Sequence, residues 1–208
     1  MLDAVQGTPE WLAKRAGRVT GSAIATVLMK PETKGYQTYC AQLAFERLMG
    51  RPLETFKSGD MLHGNETEAR ARANYELEVG LTVEEVGFIP HPTLAWAGVS
   101  PDGLVGSDGL VEIKCPQLMQ HMKNVAGFDI DRNYALQMQW QMECTGREWC
   151  DFVSFNPDFP DHLQLTIRRV ERDAEVIEEL REGATRFLAD VEAWIARLDA
   201  INPNKEAA

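Results

Sequence analysis

The sequence predicts a fold of the α/β or α+β class: a central mixed sheet flanked by helices and closed by a long C-terminal helix. Helical periodicity marks the end of the chain, where Val176, Ile177, Leu180, Ala184, Phe187, Leu188, Val191, Ile195 and Leu198 recur at three- and four-residue spacing, as one apolar helix face requires. The middle has another texture. Thr82–Cys115 is cut into short apolar and alternating runs by His91-Pro92, Pro101-Asp102-Gly103 and Ser107-Asp108-Gly109, which is how strands joined by turns read. Helical stretches around such a strand-rich centre give the predicted class.

Element by element, Thr20 or Ser22 stands where it would cap a short helix running to Met29. Gly35-Tyr36-Gln37 opens a second helix that ends near Gly50. A third starts near Asp60 and runs through Glu68, Ala71, Arg72 and Tyr75 to about Val79, with Gly80 as its C-cap. Thr82–Cys115 reads as an antiparallel meander. Helices over Gln117–Lys123 and Asn133–Cys144 follow, the latter stopped by Gly146, and then two β-rich segments, Trp149–Phe155 and His162–Val170. The final amphipathic helix covers about 173–199. No repeat, low-complexity tract or Pro/Ser-rich linker interrupts the chain, so 1–208 is expected to form one domain with its core over about 11–170 and a frayed tail at Asn202–Ala208.

The 208 residues are 44% hydrophobic and 25% charged, the composition of an ordinary globular domain. No run of about 18 apolar residues occurs and residues 1–7 lack a basic and apolar leader, so neither a membrane span nor a secretory signal is expected, and a cytoplasmic protein is. Cys40, Cys115, Cys144 and Cys150 form no CxxC pair, which argues for reduced thiols over a zinc knuckle or disulfide framework. With 32 acids against 21 bases, net charge opposes nucleic-acid binding, but the distribution does not. Residues 1–59 carry eight bases against five acids, whereas residues 171–208 carry ten acids against five bases. An acidic chain can still present one basic channel.

The chemistry concentrates in Ser100-Pro101-Asp102-Gly103-Leu104 and Val111-Glu112-Ile113-Lys114-Cys115. Side chains alternate along a strand, so Glu112 and Lys114 share a face while Ile113 points away. A hairpin through Ser107-Asp108-Gly109 would fold Asp102 back beside Glu112. Two carboxylates, with the Ile113 backbone carbonyl or a water as third donor, suit a hard cation such as Mg²⁺ or Mn²⁺ better than zinc. Such a cation, with a lysine beside it, meets the needs of phosphodiester hydrolysis. Glu68 on the third helix is placed to add another acid, with Glu66 as the competing choice. An acid-x-Lys triplet is weak on its own, since Glu32-Thr33-Lys34 is another, and Pro-Asp recurs at Pro157-Asp158 and Pro160-Asp161. Only residues 101–114 combine both parts. The competing reading makes Glu112 and Lys114 the solvent face of an edge strand.

These residues resemble the PD-(D/E)xK nuclease superfamily and, within it, the lambda exonuclease and YqaJ-like viral recombinase family of phage-type alkaline exonucleases. The resemblance extends in order from Trp11-Leu12-Ala13-Lys14-Arg15 and Val19-Thr20-Gly21-Ser22 through Gly64, Glu68, Ala71, Arg72 and Tyr75. It continues through both segments above, Tyr134-x-x-Gln137-x-Gln139 and Phe155-Asn156-Pro157-Asp158, covering roughly residues 11–160. It implies a restriction-endonuclease-like fold. It makes Asp102, Glu112, the Ile113 carbonyl and Glu68 the ligands of Mg²⁺, with Mn²⁺ as a substitute and two ions per site, and Lys114 the catalytic lysine. It further assigns Arg15 and Ser22 to the 5′-terminal phosphate of a duplex end and Gln137 to the scissile strand. The implied activity is digestion of linear double-stranded DNA from 5′-phosphorylated ends to mononucleotides, leaving a 3′ single strand. The implied assembly is a homotrimer ring working with a single-strand annealing protein in a bacterial cytoplasm, of phage or prophage origin. The alternatives on the same residues are a structure-selective or restriction-type endonuclease and a non-catalytic DNA-binding subunit.

Other residues read more plainly. Trp11 is close enough to Arg15 for a DNA-end contact. His63, His91, His121 and His162 show no ligand spacing and are expected to be structural or surface residues rather than ligands. Cys115 is expected in the core. Trp96, Trp140, Trp149 and Trp194 are expected as buried anchors of the core or of a subunit interface.

Overall fold

Helix α1 (Pro9–Arg15) is an addition to the expected elements: Thr8 caps it by accepting the Trp11 N–H at 3.3 Å, and proline opens its first turn. The computed structural model describes residues 5–53 and 60–201, with side chains between 60 and 65 excluded; the expected tail and the His63 side chain lie outside the described residues. β1 (Val19–Thr20) leads into a 3₁₀ segment, Gly21–Leu28, where an ordinary helix was expected. Its buried residues are Gly21, Ile24 and Val27, a three-residue spacing that aligns on one face only at three residues per turn. Thr20 occupies the N-cap position without a side-chain bond, and Ser22 is exposed.

The remaining elements follow the expected order. α2 (Lys34–Met49) ends at Gly50 in the left-handed region, and α3 (Asp60–Val79) follows. Next come β2 (Val83–Glu84), β3 (Ile89–Pro90), β4 (Ala97–Val99), β5 (Gly103–Val105) and β6 (Gly109–Lys114). α4 (Leu118–Val125) and α5 (Arg132–Thr145) precede β7 (Trp149–Phe155), and a 3₁₀ turn at Asp161–Leu163 introduces β8 (Leu165–Glu171) and the long α6 (Ala174–Asp199).

The expected meander is divided between two sheets. β3 pairs antiparallel with β4, and β1 parallel with β4, giving one sheet in the order β1-β4-β3. The other runs β2-β5-β6-β7-β8 and is mixed, with β6 and β7 parallel and the other pairs antiparallel. Ser100–Asp102 carries the chain across. Pro101 at the break has no N–H to extend a ladder, and Gly98 packs closely within the small sheet, where a Cβ would stand 2.6 Å from the Ile89 carbonyl oxygen and 2.3 Å from Phe88 Cζ.

The larger sheet is covered on both faces. On one, Ala71 and Tyr75 of α3 pack over Val105, Val111, Ile113, Val153 and Phe155. On the other, Met138 and Met142 of α5 pack over Leu110, Cys150 and Phe152. A further cluster joins the 3₁₀ segment, α2, β4 and α5 to the α6 stripe, from Leu180 through Ala184 and Phe187 to Val191. Trp140 is fully buried there, but Trp96 and Trp194 are each 39% exposed rather than buried. Trp96 is held by the guanidinium groups of Arg18 and Arg47, 5.2 and 4.3 Å from its ring centre; such a ring needs no core to order it. Cys115 is exposed, not packed, because β6 ends at Lys114.

α5 is tied to its surroundings by a buried carboxylate. Glu143 accepts from Arg172 at 2.6 Å and from Arg181 at 2.7 Å. Burial alone would raise its pKa, but the two arginines outweigh that and hold it below the ordinary carboxylate value. The stabilisation is therefore present above the ordinary value and is lost as pH falls through the depressed one. Glu143→Gln is expected to cost about 1–3 kcal/mol at pH 7, with the gap to the parent closing toward pH 3, as thermal unfolding at both pH values will show.

Candidate active site

β6 lies inside the larger sheet, and its alternation sends Val111 and Ile113 toward α3, leaving Leu110, Glu112 and Lys114 toward α5. Across the hairpin Gly103 pairs with Val111, so the next position opposite Glu112 is Asp102. Asp102 Oδ2 accepts the Ile113 N–H at 2.7 Å, a bond that takes the place of a ladder contact and fixes the carboxylate beside its neighbour. Only the backbone of Ile113 belongs to the site, since its side chain is buried with Ala71 and Tyr75.

Glu112 is 1% exposed, and a carboxylate at that depth needs donors. Three are supplied. Lys114 Nζ forms a close ion pair with Oε1, Gln137 Nε2 donates to Oε1 at 2.7 Å, and Gln141 Nε2 donates to Oε2 at 2.6 Å. The Lys114 ammonium also lies 4.9 Å from the Tyr134 ring centre. Burial would lower the Lys114 pKa, but Glu112 and then Asp102 outweigh it and raise it, so the lysine stays charged. The Asp102 pKa is pushed well up, first by burial and then by the Glu112 charge. Glu68, half-buried on α3, is also raised, by burial first, with Arg72 pulling it back and Glu112 adding to it. Its Oε1 accepts from Arg72 Nη2 at 3.1 Å. Glu66 is exposed, so Glu68 is the helix acid whose charge couples to the cluster.

The N-terminal segment forms the facing wall. Trp11 Nε1 donates to Ser100 Oγ at 2.9 Å, and the Arg15 guanidinium lies 4.0 Å from the Trp11 ring centre. Burial lowers the Arg15 pKa, with Tyr39 and Glu46 opposing it; a guanidinium remains a cation regardless. Gln6 Nε2 donates to the Pro101 and Val86 carbonyls at 2.8 and 3.0 Å, pinning the loop that carries Asp102. Together these walls enclose a pocket of about 160 Å³, lined by Gln6, Trp11, Arg15, Thr20, Gly21 and Ser22 on one side and by Ser100, Asp102, Glu112, Lys114, Gln137 and Gln141 on the other. A larger pocket of about 270 Å³ between α2 and α6 contains one carboxylate, Asp190, whose Oδ2 already accepts the Tyr36 hydroxyl at 2.6 Å. The smaller pocket is the one that gathers two carboxylates, a lysine and an arginine.

Every sequence-predicted residue except Glu68 and Ile113 lines this pocket. Gln139, part of the same helix motif, faces elsewhere: it bridges the Glu171 carbonyl and the Asp173 N–H at 2.8 and 2.9 Å. Gln6 and Gln141 are site residues that the motifs do not reveal. Among the described residues no three His, Cys, Asp or Glu side chains stand assembled as a metal cluster. The donor set nevertheless fits a hard cation: two neighbouring carboxylates in a poorly solvated pocket, with the mutual repulsion that raises Asp102, are what an added positive charge relieves.

The profile of the YqaJ-like viral recombinase domain matches residues 10–148. The chain belongs to the YqaJ-like viral recombinase family. Among solved structures, an alkaline exonuclease from Laribacter hongkongensis, LHK-Exo, is 44% identical with a TM-score of 0.87, over 94% of this chain and 98% of that one. LHK-Exo in complex with dAMP matches at 43% identity and a TM-score of 0.88, over the same shares. A phage-related exonuclease from Haemophilus somnus 129PT shares the fold at 18% identity and a TM-score of 0.66, over 87% of this chain and 96% of that one. No curated protein matches the chain. The fold of this YqaJ-like protein is thus the PD-(D/E)xK type, and among its described residues no helix is long and apolar enough to cross a membrane.

Because the folded-state pKa of Asp102 is raised, its contribution to stability is favourable below its ordinary value and is lost as pH rises through the raised one. Asp102→Asn keeps an acceptor for Ile113 and removes the charge. In EDTA it is expected to melt above the parent at pH 8, with a smaller gain at pH 5; a variant melting below the parent at pH 8 would show that Lys114 already compensates Asp102 fully.

Proposed function

We propose that this protein is a divalent-metal-dependent exonuclease that degrades linear double-stranded DNA from 5′-phosphorylated ends in the 5′-to-3′ direction. It releases mononucleotides and leaves a 3′ single strand for phage-type recombination by strand annealing. The observation that carries this reading is the shared pocket: Asp102, Glu112 and Lys114 on one wall face Arg15 and Ser22 on the other. A carboxylate–lysine cluster alone fits any phosphodiesterase, but a guanidinium opposite it gives a terminal phosphate a place to be held. Family membership and the likeness to an alkaline exonuclease support the same reading, and the dAMP bound by that relative supports a mononucleotide product.

In this reading Asp102, Glu112, the Ile113 carbonyl and Glu68 would hold Mg²⁺, with Mn²⁺ as a substitute and two ions per site. When bound, the ions neutralise the phosphoryl charge and make hydroxide available near neutral pH. Lys114 stays protonated, orients the attacking water and stabilises the developing negative charge. Arg15 grips the terminal phosphate with Ser22, and Trp11 limits the guanidinium's freedom by stacking on it. Gln137 holds Glu112 from the rim of the pocket and reaches the scissile strand. Contacts of this kind go to phosphate, so base sequence should matter little.

The chain acts as a single exonuclease domain, assembled as a homotrimer ring in the cytoplasm of a bacterial host and partnered by a single-strand annealing protein. The excess of bases in residues 1–59 and of acids in residues 171–208 supports a basic bore and an acidic exterior.

Digestion of a linear duplex carrying distinguishable 5′ and 3′ labels, in Mg²⁺ or EDTA and beside a closed circle, tests the reading. Early Mg²⁺-dependent release of the 5′ label as mononucleotide with circles spared is expected; cleaved circles would make the protein an endonuclease, and no product would leave a binding role. Lys114→Ala should lower the rate by about 10²–10³-fold. Arg15→Ala should remove most of the preference for 5′-phosphate over 5′-hydroxyl ends, measured by competition between the two duplexes.

A further inference from the structure

The two oxygens of Glu112 are held differently. Oε1 faces Lys114 and Gln137, which are only partly buried, whereas Oε2 is met by Gln141, which is 1% exposed. Lys114 and Gln137 stand where substrate and cation arrive and can exchange partners. Gln141 also borders the pocket, but it is buried and meets the carboxylate at Oε2 alone. Its other end is also committed: the Cys150 thiol, fully buried on β7, donates to Gln141 Oε1 at 4.0 Å. At that length the thiol contact is weak, and it favours the amide orientation that the 2.6 Å bond to Glu112 Oε2 sets. Reversing the amide would set its oxygen against Glu112 Oε2 and leave the thiol without an acceptor, two unfavourable changes with no gain.

We infer that Gln141 is a positioning residue for the cation, holding the Glu112 carboxylate in one orientation through Oε2, with the Cys150 thiol supporting the orientation of the Gln141 amide. The inference rests on the proposed metal-dependent reading of the pocket. Groups that orient a ligand from behind typically contribute 10–100-fold to metal affinity when removed. With that hold gone, the Glu112 carboxylate turns about its last bond.

The test is calorimetric titration of the DNA-free protein with Mn²⁺, beside thermal unfolding in EDTA and in Mn²⁺. Gln141→Leu removes the donor at similar volume, and Gln141→Asn withdraws it by one methylene while keeping the site polar, which guards against a leucine variant that does not fold. Either folded variant is expected to bind Mn²⁺ about tenfold more weakly and to need correspondingly more Mn²⁺ for the same rise in melting temperature. Cys150→Ser, which keeps a donor, is expected to stay within about twofold of the parent, whereas Cys150→Ala falls between parent and Gln141→Asn. If the variants melt lower in EDTA but bind Mn²⁺ as the parent does, Gln141 is structural and the inference fails. If the parent itself binds no Mn²⁺, the metal-dependent reading of the pocket fails instead.

Discussion

Burying the Glu112 carboxylate at the centre of a sheet is the constraint around which the molecule is arranged. An isolated charge there would be neutralised by a proton or would destabilise the strand by several kcal/mol. The donors that answer it come from two directions, Lys114 on the same strand face and the paired glutamines of α5. This fixes the rotation of α5 about its axis, because Gln137 and Gln141, four residues apart, must both face β6. Gln139 and Glu143, each two residues further along, then face away. Gln139 reaches the junction of β8 and α6, and Glu143 gathers Arg172 and Arg181. One helix is thus held at its rear by one buried carboxylate cluster while its front holds another.

The opposite face of the sheet follows the same logic with different chemistry. Tyr75 donates its hydroxyl to Asp151 at 2.8 Å, and Arg169 closes on that carboxylate with bonds of 2.9 and 3.0 Å while stacking 3.5 Å from the Trp149 ring centre. Ala71 and Tyr75 therefore seat α3 firmly on β6 and β7. Glu68 lies one and two turns earlier on the same helix face, so the packing of Ala71 and Tyr75, together with its own bond to Arg72, places the acid that couples to Glu112. The acids that couple electrostatically come from both faces of the sheet.

What could be read from the sequence and what could not divide along physical lines. Strand alternation and the turn at 107–109 were enough to bring Asp102, Glu112 and Lys114 together, since both follow from local geometry. Helix α1 carried its signal in Thr8-Pro9-Glu10, but its seven residues are too few for periodicity to register. The split into two sheets depends on β4 pairing with β1 and β3, the former from far away in sequence, and no local pattern encodes that. Gln141 was discernible only as the residue one turn beyond Gln137; a neutral side chain in a buried helix gives no compositional sign. Gln6 lies in an irregular segment and gave none. The 3₁₀ geometry of Gly21–Leu28 was written in the three-residue spacing of its buried side chains, which a search for a period of 3.6 passes over.

The crossing at Ser100–Asp102 has a consequence beyond topology. β1 brings Thr20, and behind it Ser22, onto β4 in parallel register, while Asp102 begins the strand that meets Glu112. The two walls of the pocket therefore meet through β4: one is hydrogen-bonded to it by β1, and the other continues from it through three residues clamped by the Trp11 indole and the Gln6 amide. The molecule contains a gauge: the spacing between the Arg15 side and the Asp102 side is set by the β1–β4 register and by the three residues that follow Val99, and one residue inserted there would change it by roughly 3 Å, leaving both walls intact and out of step.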